Sequence, residues 1–464
     1  MDPVLLGEIL AAVMFFGIIG FLLLGFPVAF TLAGSALLFG FVGMQFGVFD
    51  PSNFGALAQR YLGTMTNEVF VAVPLFIFMG VMLERSQIAE QLLTTMGRLF
   101  GSLRGGLGFS VILVGALLAA STGVVGATVV TMGLISLPAM LRAGYDPRLA
   151  CGLICSAGTL GQIVPPSTIL IFMGDMLSGI NAQVQMAKGN FSPVPVSVGD
   201  LFAGALLPSL MLIGLYVVWM IIKAIFDPQS CPATPAEPRE DGRGMWREVV
   251  SALLPPMALI VAVLGSILGG IATATEAASV GAVGAMLLSM LRGRFTFAIL
   301  RQVVHSTAVI TSMVFVIILG AAVFSIVFRM MGGENLVHEL ISALPGGRVG
   351  AIFFVMALMF VLGFILDSFE IIFIVVPVTA PILLAMDVNP VWLGVMISMN
   401  LQTSFMTPPF GFSMVYLRGV APASVTTGMM YRGVLPFVAL QLLAVLLIYL
   451  FPGLATWLPS FIYS

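Results

Sequence analysis

Residues 158–167 read Gly158-Thr159-Leu160-Gly161-Gln162-Ile163-Val164-Pro165-Pro166-Ser167, and residues 400–411 read Asn400-Leu401-Gln402-Thr403-Ser404-Phe405-Met406-Thr407-Pro408-Pro409-Phe410-Gly411. Each is a double proline set in apolar sequence. A proline inside a helix removes a donor, frees a carbonyl and costs about 3 kcal/mol unless a break is wanted there. The two stretches belong to a longer correspondence. Pro138, Pro147, Pro165 and Pro166 recur as Pro381, Pro390, Pro408 and Pro409, each 243 residues later. Matching helix breaks in two halves of an apolar chain point to a secondary transporter, in which sites sit at mid-membrane in discontinuous helices of two repeats.

The rest of the composition agrees. The chain of 464 residues is 60% hydrophobic and 8% charged, against about 25% charged in soluble domains. It reads as a polytopic membrane protein with little soluble mass, and nucleic-acid binding is not supported. The net charge of −2 says nothing about partners when charges are sorted by membrane side. Cys151 and Cys155 lie one helical turn apart in apolar sequence and Cys231 lies in a linker, which is neither a disulfide framework nor a metal-ligand spacing. His305 and His338 are too far apart for a cluster. There is no Walker A stretch, G-x-S-x-G elbow or HExxH helix, so no enzyme chemistry is expected.

Apolar runs of about the 20 residues needed to span fall at 5–25, 27–47, 68–83, 201–226, 250–271, 274–291, 303–328 and 433–451. Four more regions are apolar but interrupted. The double prolines lie in broken helices at 149–178 and 391–418. Regions 106–142 and 348–386 carry Ser121-Thr122-Gly123 and Asp367-Ser368 near their middles. Their arms, about 15 residues at 1.5 Å each, reach only part-way across. Both are therefore read as re-entrant hairpins with polar tips at mid-depth, tolerable where they line a protein cavity. The charges agree. If both hairpins return to their side of entry, all of the 18 basic residues except Arg60, Lys188, Arg329 and Arg348 share one face, which is cytoplasmic by the positive-inside rule.

The expected fold is all-α, with about ten crossings in two inverted repeats. Residues 1–226 form the first, 227–248 a cytoplasmic linker and 249–464 the second. Five crossings per repeat, an odd number, force the inversion and put both termini outside. Stretches 84–103 and 333–344 are amphipathic and read as interfacial helices. Residues 180–200 have no counterpart in the second half and are expected to be an extracytoplasmic loop.

Freed carbonyls with Ser and Thr hydroxyls at each break offer an all-oxygen site for a dehydrated monovalent cation. The half-helix that follows presents free N–H groups to an anionic carboxylate. Intramembrane acids are functional candidates because lipid makes them costly. Asp367, with Glu370 one turn on, is read as coordinating a cation or locking the tip, against a purely structural hydrogen bond. Glu276, in Thr273-Ala274-Thr275-Glu276, reads as a capping carboxylate, and Asp175 as a residue of the outer interface.

Residues 158–167, 273–285, 400–412 and Tyr431-Arg432-Gly433-Val434-Leu435-Pro436 resemble the large membrane subunit of TRAP (tripartite ATP-independent periplasmic) transporters, over nearly the whole chain. Leu366-Asp367-Ser368-Phe369-Glu370-Ile371 and residues 400–405 are most similar to the branch named for mannitol or chloroaromatic compounds. The resemblance implies a large permease subunit in a bacterial inner membrane, importing an organic anion such as a carboxylate with sodium as coupling ion. It implies hairpins and broken helices moving as an elevator, a separate small four-helix membrane subunit (no helices precede residue 5), and a periplasmic substrate-binding protein. It also implies sodium and substrate sites around Ser121, Thr122, Gly123, Gly161, Pro165 and Ser167 in one half. In the other half they fall around Asp367, Ser368, Thr403, Thr407, Pro408 and Gly411. The second tip is bulkier and more acidic than the small-residue tips common in that family. The alternative is a stand-alone sodium-coupled carboxylate transporter of the related inverted-hairpin fold, without a binding protein.

Overall fold

In lipid every backbone polar group needs a partner within the protein, which a helix supplies from its own segment. The computed structural model of the chain describes residues 2–123, 125–233 and 242–463, without the side chains of residues 88, 89, 121, 122 and 242–246. Among these residues the regular structure is helical throughout. The expected spans appear as Pro3–Leu23, Val28–Gln45, Glu68–Arg85, Val198–Phe226, Gly242–Leu268, Ala274–Leu291, Phe297–Met330 and Thr427–Leu450. Among the described residues eight helices qualify as crossings by length and apolarity, or up to ten if each of two bent pairs is one span.

Five features differ from the sequence reading. Helix Thr168–Ala187 continues well into the stretch expected to be a loop, so the irregular segment is confined to 188–197. The second arm of the later hairpin is not continuous. It runs Ser368–Ile374 and then Val376–Ala385, bent by 58°, because Pro377 has no N–H to continue the ladder and its ring crowds the preceding turn. A short helix Gly55–Met65 precedes Glu68–Arg85 at 52°, and a terminal helix Gly453–Tyr463 follows the last span. The arm Val125–Arg142 has 18 residues, enough to qualify as a span by itself. Arm length therefore does not separate a re-entrant hairpin from two crossings here. Gly106–Thr122 and Val125–Arg142 lie against each other and both lie against Pro147–Thr159.

The chain divides into two compact units that each draw on both halves of the sequence. One is Met1–Phe70, Asp175–Val196 and Val309–Pro390. Within it the first two helices pack on the end of Phe297–Met330 through small residues, as membrane helices do. A β-carbon at Gly320 would stand 2.4 Å from the Ala29 carbonyl oxygen. The expected interfacial helix is Gly333–Ser342, tied to the preceding helix by Arg329–Glu334 at 2.7 Å. The later hairpin completes the unit.

The other unit is Val71–Gly174, Ser197–Ala308 and Val391–Ser464. It holds the earlier hairpin and both double-proline breaks. Its interfacial helix is Ile88–Phe100. The start of the linker is anchored here, since Gly105 N–H donates to the Cys231 carbonyl and Asp146 N–H to the Ser230 carbonyl, both at 2.9 Å. Residues 234–241 of the expected linker lie outside the described residues. Glu276 closes a capping box with Thr273, accepting its N–H at 2.8 Å and its hydroxyl at 3.0 Å, the structural role expected for it.

Candidate functional site

The first break is built against the tip of the earlier hairpin. Helix Gly106–Thr122 ends at Gly123 with φ 60°, a left-handed conformation that glycine takes without penalty. Thr168, first residue of the half-helix beyond the prolines, donates its hydroxyl to the Gly123 carbonyl at 3.3 Å. Gly161 faces the same turn, and a β-carbon there would lie 3.7 Å from the Ala119 and Gly123 backbone. Gly158 fits against Val129 on one arm and Gly115 on the other arm fits against Ala157. The broken helix is thus wedged between the arms. Ser167 donates its hydroxyl to the Gln162 carbonyl at 2.9 Å across the break, and the Pro165–Pro166 peptide is cis. Among the described residues the carbonyls of Ile163, Val164 and Pro165 accept no hydrogen bond, although these residues are buried. Gly123 and Gly161 therefore meet at the hairpin turn, with Pro165 and Ser167 in the break beside them. The side chains of Ser121 and Thr122 lie outside the described residues.

The second break uses the same materials. Helix Pro390–Met406 is buried from Val391 onward. Thr403 donates to the Met399 carbonyl at 2.9 Å, Thr407 to the Thr403 carbonyl at 2.7 Å and Ser413 to the Phe405 carbonyl at 3.3 Å. A hydroxyl that donates inward keeps its lone pairs for another partner. Gly411, at φ 45°, curls the chain so that the Met406 and Thr407 carbonyl oxygens would both be 3.3 Å from a β-carbon there. Pro408–Pro409 is also cis, and Tyr431 donates its hydroxyl to the Pro409 carbonyl at 2.7 Å. Thr403, Thr407, Pro408 and Gly411 form one oxygen-rich turn. Tyr431 and Thr168, which fasten the two breaks, were not singled out as site residues. Tyr431 had only its place in a family-like stretch as a signal.

Asp367 and Ser368 lie in the other unit, at the tip of the later hairpin. Asp367 is the N-cap of Ser368–Ile374, its carboxylate accepting from the Ser368 N–H at 2.6 Å. Glu370 reaches back to accept from the Asp367 N–H at 3.0 Å, which completes a capping box. The tip carboxylate therefore has a structural task as well as oxygens to offer. Ser368 Oγ is buried and finds no partner among the described residues. Asp175 accepts from the Asn67 amide at 2.9 Å. Glu84, an acid sequence reading passed over, accepts from the Thr131 hydroxyl on the hairpin arm at 3.0 Å.

Backbone carbonyls and hydroxyls gathered where a helix is unwound are the donors that transporters present to sodium or protons. Among the described residues no three His, Cys, Asp or Glu side chains converge as a metal site.

Comparison with known proteins agrees with this architecture. Residues 15–454 match the family described as tripartite ATP-independent periplasmic transporter, DctM component, and the chain belongs to that family. It is 29% identical to the ectoine/5-hydroxyectoine TRAP transporter large permease protein UehC of Ruegeria pomeroyi, over 98% of this chain and 100% of that one. It is 28% identical to the C4-dicarboxylate TRAP transporter large permease protein DctM of Vibrio cholerae, over 97% of each chain. It is 27% identical to the sialic acid TRAP transporter large permease protein SiaM of the same species, over 96% of this chain and 97% of that one. Among solved structures, the Alcanivorax borkumensis YdaH transporter shares the fold with a TM-score of 0.62 at 16% identity, covering 89% of each chain. The chain is a multi-pass membrane permease component and not an enzyme.

Proposed function

We propose that this TRAP permease imports an organic anion across a bacterial inner membrane, driven by sodium, with both termini on the periplasmic side. Sodium rests on the carbonyl and hydroxyl oxygens of the breaks: Gly123, Gly161, Pro165 and Ser167, with Ser121 and Thr122, at one, and Thr403, Thr407, Pro408 and Gly411 at the other. Asp367 and Ser368, at the tip of the later hairpin in the other unit, are candidates in their own right. The half-helices that follow, Thr168–Ala187 and Phe412–Val420, aim their N-termini at a carboxylate, the favourable end of a helix for negative charge. Solutes named for relatives, C4-dicarboxylates, sialic acid and ectoine, share a carboxylate. Residues 366–371 and 400–405 look most like the branch named for mannitol or chloroaromatic compounds, and such a label leaves the particular solute open. A small four-helix subunit stands beside the permease, a periplasmic binding protein delivers the solute, and hairpins and broken helices move as an elevator through the membrane.

The observation that carries this reading is the pair of oxygen-rich breaks, the first closed against a hairpin tip. The test is sodium-titrated uptake in proteoliposomes containing permease, small subunit and binding protein, normalised to inserted protein. Asp367→Asn keeps the protein folded, because Asn caps a helix as well as Asp does. It raises the sodium needed for half-maximal uptake about tenfold, equivalent to about 1.4 kcal/mol. Uptake driven equally well by potassium refutes the sodium reading, and an unchanged sodium curve removes Asp367 from the site.

A further inference from the structure

The two broken helices meet at one buried hydroxyl. Thr159 ends the first segment six residues before Pro165, and Gln402 stands six residues before Pro408. Gln402 Nε2 donates to Thr159 Oγ1 at 3.5 Å, across a separation of 243 residues, the offset that relates the prolines. Gln441 Nε2 donates to the same hydroxyl at 3.3 Å and to the Tyr216 hydroxyl at 2.7 Å. Thr159 donates in turn to the Ser156 carbonyl at 2.9 Å. All four side chains are fully buried, and the Tyr216 ring sits edge-on to Phe437 at 5.5 Å. Thr159 thereby makes one donated and two accepted bonds, the full capacity of a hydroxyl. Through it Pro147–Thr159, Val198–Phe226, Pro390–Met406 and Thr427–Leu450 are fastened together.

This node is not the cheapest way to pack four helices. Gln402 Oε1 and Gln441 Oε1 are buried without a partner among the described residues, and buried acceptors left unmade cost stability that apolar side chains of equal size would not. What the node supplies is register. Two turns before it, Gly152 and Gly433 bring Pro147–Thr159 and Thr427–Leu450 into backbone contact, where a β-carbon at Gly152 would lie 2.2 Å from the Gly433 carbonyl oxygen. That crossing sets the distance between helices, and the node fixes their rotation and slide. Equivalent residues of two repeats touch only where the repeats face one another. Thr159 and Gln402 sit there, each about one turn and a half before its own break.

We propose that Thr159, Gln402, Gln441 and Tyr216 are positioning residues that hold the two helix breaks in fixed register, so that a change at one break is felt at the other. This rests on the reading that the breaks hold the coupling ions. The node touches neither break directly. It acts through the single 3-10 turn Leu160–Gln162 that leads from Thr159 into the first break and through the last turn of Pro390–Met406 that leads into the second.

The experiment is a mutant cycle measured in two backgrounds. Ser167→Ala perturbs the first break and Thr407→Ala the second. Each single variant and the double variant are reconstituted with the small subunit and binding protein, and uptake at subsaturating sodium is normalised to inserted protein. In the native background the loss in the double variant departs from the product of the single losses by about fivefold or more, a coupling in the range of interacting sites. Thr159→Val keeps the side-chain shape and deletes the hydroxyl, and in that background the product rule holds within about twofold. Thr159→Ser restores the departure. A merely structural role would lower melting temperature and scale all four rates alike, leaving the ratio unchanged. The cycle is repeated with Gln402→Met, so that misfolding of one variant leaves the other decisive. The same departure in both backgrounds, or none in the native chain, overturns the proposal. If potassium replaces sodium without loss while the ratio behaves as stated, the sodium reading fails and the node stands. Sodium dependence with no coupling sinks the node alone.

Discussion

Gly433→Ala tests whether backbone contact sets the crossing of Pro147–Thr159 and Thr427–Leu450. A β-carbon at 433 would stand 2.1 Å from the Arg148 carbonyl oxygen and 2.8 Å from the carbonyl carbon. A relaxed carbon-to-oxygen approach is about 3.3 Å, so the helices must part by about 1 Å at that point. The clashing atoms are backbone, and no rotamer change relieves them. Overpacking a tight core costs about 1–3 kcal/mol, and the rigid partner puts this case at the upper end. A gap of about 1 Å also forfeits a quarter to a half of the dispersion well along the rest of the crossing. At about 2–4 °C per kcal/mol for a large unit, the melting temperature of the purified permease falls by roughly 6–12 °C. Gly428→Ala is the control, because it lies in the same helix with nothing within 4 Å, and alanine is the better helix former. If the two variants melt within about 2 °C of each other, the backbone contact is not what fixes the crossing.

Glu276→Ala lowers yield and melting temperature while leaving the sodium dependence of uptake unchanged. Glu276→Gln stays nearer to the parent, because Gln also serves in a capping box. A shifted sodium curve for either would move Glu276 into the transport site. Gln229→Cys is labelled by a membrane-impermeant thiol reagent from the cytoplasmic side only and Asn190→Cys from the outside only, against low background, since Cys151, Cys155 and Cys231 are buried; the reverse pattern would invert the topology. Lys188 holds the Asp387 carboxyl below its ordinary value by a direct hydrogen bond of 2.6 Å. A depressed carboxylate contributes stability above its unfolded value near pH 4 and loses it as the pH falls through the lower folded value. Lys188→Met therefore melts below the parent at neutral pH, and the two converge in acid. A gap that stays constant into acid would assign the loss to the aliphatic stem of Lys188 instead.

What the sequence disclosed and what it hid divide along a physical line. The breaks were legible because proline acts through its own ring, whatever surrounds it. The tip at Gly123 and the cap at Glu276 were legible because their signals lie within a few residues. The Asp367-x-x-Glu370 capping box carried a signal of the same kind. It was passed over because the cost of a charge in lipid drew the reading toward cation binding. The bend at Val375 had Pro377 as its mark, but the apolar run continues through it, and hydropathy does not register a change of direction. Helix Thr168–Ala187 was cut short because residues 180–200 have no counterpart in the second half, and a repeat comparison gives no guide where one copy is missing.

The buried node required a different kind of reading. Nothing near Tyr216 or Gln441 says that they meet, since each is a lone polar residue in an apolar span and their encounter is set by how distant helices cross. Thr159 and Gln402 are the exception, because a repeat carries long-range information in its offset. With residues 149–167 laid on 392–410, Thr159 over Gln402 is the one position where both copies bear a hydroxyl or an amide. Polar groups at equivalent depth in two apolar helices each need a partner inside the protein. The least costly partner for two such groups is the other one, wherever the repeats face each other. The proline offset that defines the repeats therefore also pointed to the pair of side chains on which their breaks are registered.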